Sequence, residues 1–92
     1  MLIDSHCHLD FADFTPDRDA VIARAEQEDV SAFVVPATTV ASFPAVLALV
    51  DSSARIFGAL GLHPYFLSEH GEGALAALHQ ALDQHAGEIV AL

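Results

Sequence analysis

The chain has 92 residues, 53% hydrophobic and 17% charged, which is too apolar for a disordered segment and enough for one modest core. A formal net charge of −10, with Arg18, Arg24 and Arg55 as the side-chain cations, excludes a basic face that grips nucleic acid without regard to sequence. Apolar stretches broken by Asp, Arg, Gly and Pro exclude a membrane span, and Met1 to His6 lacks the basic and apolar regions of a secretory signal. Cytoplasmic residence is the default expectation, and the lone Cys7 fits a reducing environment because it has no intramolecular partner.

Taken in chain order, Leu2 to Cys7 is expected to form a short first strand. Thr15-Pro16-Asp17 then predicts a helix start, with Thr as N-cap and Pro at the first helical position, running to about Glu28. Val21, Ile22 and Ala25 share one face of it. Val30 to Pro36 is β-branched, aromatic and apolar almost throughout, as expected for a strand buried on both faces. A second helix is predicted from about Ser42, since Phe43, Val46, Leu47 and Val50 recur at helical spacing with Pro44 near the start. Ile56 to Leu62 predicts a third strand, in which Gly58 and Gly61 mark close backbone approach. An irregular loop through Gly71-Glu72-Gly73 leads to a third helix, with Leu75, Leu78 and Leu82 on one face and Gly87 as its C-cap. Glu88 to Leu92 opens a fourth strand.

Strands alternating with helices in this way predict right-handed βαβ units around a parallel sheet. Roughly three and a half units of an eight-stranded barrel are present, where a closed one takes about 250 residues. A doubly wound open sheet is the other arrangement, but the first βα turn reads His6-Cys7-His8-Leu9-Asp10 and carries no glycine-rich phosphate loop.

That turn carries the chemistry. In a strand, alternate side chains share a face, so His6 and His8 project together while Cys7 turns toward the helices as a small buried thiol. An isolated His-x-His is more often a pair of ordinary strand-end histidines. Here it stands at the C-terminal end of an N-terminal strand, where β/α barrels build their sites, with acids of the same parity at Asp4 and Asp10. Neutral imidazoles suit Zn, Mn, Fe, Co or Ni, and Asp10 is either a further ligand or the partner that fixes an imidazole tautomer. His63, before Pro64, is expected to open onto the same C-terminal face or to serve as a loop histidine. His70, His79 and His85 are read as solvated or helix-packing residues.

Asp4-Ser5-His6-Cys7-His8-Leu9-Asp10, Val34-Val35-Pro36-Ala37-Thr38 and Ala59-Leu60-Gly61-Leu62-His63-Pro64 together resemble the TatD family of metal-dependent hydrolases. The resemblance implies a (β/α)8 TIM-type barrel, of which residues 1–92 are the N-terminal portion, truncated in the fourth strand. It further implies a site for two divalent metals, with Mg, Mn or Zn expected, and hydrolysis of phosphodiesters in DNA. By position, His6 and His8 match the first metal's ligands and His63 matches the pocket histidine that contacts substrate, while Asp4 and Asp10 are placed behind the ligands by their strand parity alone. In the family the fourth strand continues into Gly-Glu-x-Gly-Leu-Asp, whose Glu bridges the metals, and later strands bring two more His and an Asp. Glu88 precedes that motif and is not the bridging residue. The isolated chain is therefore expected to lack turnover and to self-associate through its open strand edges. Amidohydrolase and polymerase-and-histidinol-phosphatase barrels, which also open with His-x-His, are the alternative readings, as is an inactive truncated product; Gly-x-His-Pro at Gly61 to Pro64 favours TatD.

Overall fold

Four parallel strands lie side by side in chain order: β1 (Leu2–Asp4), β2 (Val30–Pro36), β3 (Ile56–Ala59) and β4 (Ile89–Ala91). They are connected through α1 (Arg18–Gln27), α2 (Phe43–Ser52) and α3 (Ala74–Gln84). This computed structural model describes residues 1–92, the side chain of Leu67 excepted. Sequential strand order with all three helices packed on the same face is the arrangement of an arc of a β/α barrel. A doubly wound sheet would reverse its strand order and cover both faces.

The core lies between sheet and helices. Phe33 and Val35 of β2, Ile56 of β3 and Phe43 and Val46 of α2 form one buried cluster with Leu9 and Leu60. Val21, Ile22 and Ala25 of α1 and Leu78, Ala81 and Leu82 of α3 pack against it. Val35, Val46 and Leu60 are fully buried, each worth roughly 1.5–3 kcal/mol of transfer free energy. Gly58 lets α2 approach β3, since a Cβ there would stand 2.9 Å from Val50 Cγ2 and 3.2 Å from Val46 Cγ1.

Burial of β2 on both faces, expected from its composition, holds for only one. Phe33 and Val35 are buried, whereas Val34 and Pro36 on the opposite face are half-buried. Ile3, Phe57 and Val90 stand on that second face, 60%, 39% and 57% exposed. The strand is apolar on both sides because the second face is the inward side of a barrel arc, and no other part of this chain covers it.

Several boundaries differ from expectation for local reasons. β1 ends at Asp4 because Asp4 Oδ1 accepts the backbone N–H of His6 at 3.1 Å, a turn contact that competes with the ladder. The chain still follows β2, since Cys7 N donates to the Val34 carbonyl at 3.1 Å. β3 ends at Ala59, where Leu60 N reaches across to the carbonyl of Ala91. Thr15-Pro16-Asp17 is a turn following a short 3-10 helix over Ala12–Phe14, so α1 starts at Arg18 with Asp17 at its N-cap. In α3 the buried face runs through Ala74, Leu78, Ala81 and Leu82, and Leu75, one position off it, is exposed. His85, not Gly87, caps that helix. The one left-handed residue among those described is Asp29 (φ 70°), which turns the chain from α1 into β2.

Candidate active site

His6 and His8 lie beyond the end of β1, so strand alternation is not what brings them together. Their rings nevertheless meet edge to face, with centroids 5.0 Å apart and planes at 88°. Two imidazoles that hold one tetrahedral ion at about 2.1 Å have ring centres roughly 5 Å apart, so the pair is spaced for a shared cation. His8 is steadied by stacking on Phe11, at 4.8 Å between centroids and 22° between planes.

Two buried polar atoms beside this pair have no hydrogen-bond partner among the described residues: Nδ1 of His8 and Oδ1 of Asp10. Orphaned buried groups cost free energy, and ligand sites are where such a cost is tolerated. Burial raises the Asp10 pKa above the usual carboxylate range, opposed by its own backbone N–H and by the neighbouring His8 and Arg18. Asp4 serves differently, since its carboxylate takes the His6 backbone N–H rather than an imidazole. Cys7 is half-buried, with Sγ 3.7 Å from the Val34 carbonyl, and burial together with the Asp4 charge pushes its thiol up to about 11.

His63 arrives from β3, four residues past the end of that strand. Its backbone N–H donates to the Thr38 carbonyl at 2.8 Å, which ties it to the end of β2. Its Nδ1 accepts the Tyr65 backbone N–H at 3.1 Å, and its ring leans on Tyr65 and Phe66. A cavity of about 340 Å³ on the bare face of the sheet is lined by Ser5, His6, Val34, Ala59, His63 and Ala91, among others. Residues from the ends of three strands thus share one concavity with the first histidine of the pair.

Asp10 is not part of it. That residue borders a separate cleft of about 490 Å³ with Phe11, Thr38, Thr39, Phe66 and Glu69. The larger cleft holds no histidine, so we place the site in the smaller one. Among the described residues no group of three or more His, Cys, Asp or Glu side chains converges into a cation cage. The pair His6 and His8 therefore fits a divalent ion as a partial ligand set.

Two contributors were not legible in the sequence. Arg18, read only as a cation, donates to the carbonyls of Leu9 and Phe11 and so grips the loop that carries His8 and Asp10. His70, read as a solvated or packing residue, places Nε2 2.9 Å from the His63 carbonyl. Neither spacing nor periodicity signals these contacts. His79 and His85 only face Asp83 and Glu88 of their own segment.

The model of the family described as TatD related DNase matches residues 3–92. The chain belongs to the TatD related DNase family. YjjV, an uncharacterized metal-dependent hydrolase of Escherichia coli K12, is 42% identical over 90 residues, which cover 98% of this chain and 35% of that protein. The human deoxyribonuclease TATDN3 is 34% identical over 64 residues, covering 68% of this chain and 23% of its own. The crystal structure of YjjV, a TatD homolog, superposes with a TM-score of 0.90 over 97% of this chain and 34% of that one. The TatD-family chain thus spans between about a quarter and a third of the length of the curated relatives it matches.

Proposed function

We propose that this chain supplies the first metal-ligand pair and the substrate histidine of a divalent-metal-dependent hydrolase that cleaves phosphodiester bonds in DNA. The observation that carries the reading is the meeting of His6 and His8 at 5.0 Å beside a cavity that His6 shares with His63. The deoxyribonuclease name of the TATDN3 relative supports DNA as the substrate.

In this reading His6 and His8 hold one cation, and Asp10, which borders the neighbouring cleft, acts on the pair as a nearby charge and not as a ligand. Divalent ions bound there, Mg, Mn or Zn, would activate water at neutral pH and neutralise phosphate charge. That neutralisation matters for a chain whose formal charge is −10, because its own side chains repel a polyanion. His63, which lines the cavity, is the residue that contacts a phosphate oxygen, with Val34 and Ala59 forming an apolar wall beside it. The ligands that complete the metal site lie outside this set, and the phosphodiesterase activity belongs to the whole barrel.

The test is a chimera in which residues 1–92 replace the matching third of the YjjV relative. Metal-dependent release of nucleotides from DNA, at a rate comparable to that relative's own and abolished by His6→Ala with His8→Ala, is the expected result. Equal activity with and without the two histidines would sink the assignment.

A further inference from the structure

We infer that His70 is a positioning residue for His63, and that together with the Tyr65 backbone it holds the His63 ring in the single tautomer that carries its proton on Nε2. A backbone N–H only donates, so the Tyr65 N–H 3.1 Å from His63 Nδ1 requires a lone pair on that nitrogen. The proton of the neutral ring is then on Nε2. No residue among those described is hydrogen-bonded to Nε2, and His63 lines the cavity that contains His6. In this tautomer the ring offers the site a donor, the form that suits an oxyanion and not a cation.

His70 enters through the backbone. The His63 carbonyl only accepts, so His70 Nε2, 2.9 Å away, carries its proton toward that oxygen. The same oxygen accepts the Phe66 N–H at 3.1 Å, which fills its two lone pairs. His70 thereby closes the 3-10 segment Pro64–Glu69 back onto the residue that precedes it. The Tyr65 N–H sits inside the turn held this way. With the Thr38 carbonyl fixing the His63 N–H from the other side, every backbone polar group of His63 is occupied.

The functional meaning of this arrangement rests on the reading of His63 as the substrate histidine, whereas the tautomer and its dependence on His70 do not. The experiment is therefore made without metal or DNA. Uniformly 15N-labelled chain is studied by NMR above about pH 8.5, where ordinary imidazoles are neutral, with the His63 signals assigned by loss in His63→Gln. The expected spectrum shows one His63 tautomer, pyrrole-type at Nε2 and pyridine-type at Nδ1, with a coupling across the hydrogen bond to the Tyr65 amide nitrogen. His70→Ala should lose the coupling and mix the tautomers. His70→Gln, whose amide offers a donor at similar reach, should restore both. If His70→Ala gives no folded spectrum, His70→Met fills the space without a donor and makes the same comparison. An Nδ1–H tautomer in the parent, or a coupling unchanged when the His70 donor is removed, overturns the inference.

Discussion

The guanidinium of Arg18 donates to the backbone carbonyl of Leu9, and a second nitrogen of the same group reaches the Phe11 carbonyl at 3.1 Å. The first residue of α1 thus holds the two carbonyls that flank Asp10, just beyond His8. Planar guanidinium suits such a two-point grip because its donors are fixed in one fork. Replacing it leaves two carbonyls without their charged donor.

Arg18→Ala is accordingly expected to destabilise the chain by about 1–2 kcal/mol, the scale of hydrogen bonds to a charged group at a partly exposed site. Arg18→Lys should recover part of that loss, because an ammonium keeps the charge but not the fork. The denaturant midpoint at constant m-value measures both. No change in either variant would mean that the loop is held by Phe11 stacking and Leu9 burial alone.

Titration of a divalent ion such as zinc into the chain should show binding that depends on His6 and His8 and not on His79 or His85. Alanine at either of the first two is expected to weaken it more than tenfold, while alanine at the latter two leaves it unchanged. Asp10→Asn should weaken it by roughly 10–100-fold, the range for a partner standing behind a metal ligand. Calorimetry at neutral pH reads the series, and equal effects at all four histidines would remove the assignment.

The Cys7 thiol gives a pH signature. Its folded pKa is raised from 9.0 to about 11, chiefly by burial, so the folded state favours the protonated thiol. The stability this contributes is fully present below pH 9.0 and is lost as pH rises toward about 11. Cys7→Ala should flatten the fall in thermal midpoint across that window. Alkylation of folded Cys7 at mildly alkaline pH should also be slower than that of the unfolded chain.

At Gly58 the expected cost of an added methyl is about 1–3 kcal/mol, since Val46 is fully buried and β-branched side chains do not swing aside easily. Gly58→Ala combined with Val50→Ala should regain much of it, because the nearest clash is with Val50 Cγ2 at 2.9 Å. Equilibrium unfolding of the two variants decides whether α2 is in fact seated this closely on β3.

The order of strands and helices, the core positions Phe43, Val46 and Val50 of α2 (though Leu49 and not Leu47 completes that face) and the full extent of β2 were legible in the sequence because they depend on local periodicity and on residue types that favour one backbone conformation. The His6 and His8 pair was legible as well, though for a reason the structure changes: strand alternation predicts the pairing, while an Asp4 turn has already ended the strand and the rings meet beyond it. The exposure of Leu75 shows the limit of periodicity, since two helix faces one residue apart are equally apolar on paper and only packing against the buried cluster selects one. The tertiary structure alone decided that His63 shares a cavity with His6, that Asp10 faces a different cleft, and that Arg18 and His70 hold the loops between them. The Arg18 and His70 contacts each run through backbone carbonyls, within the β1–α1 and β3–α3 connections respectively. Every residue carries a carbonyl, so the sequence holds no mark of which one a distant side chain will meet.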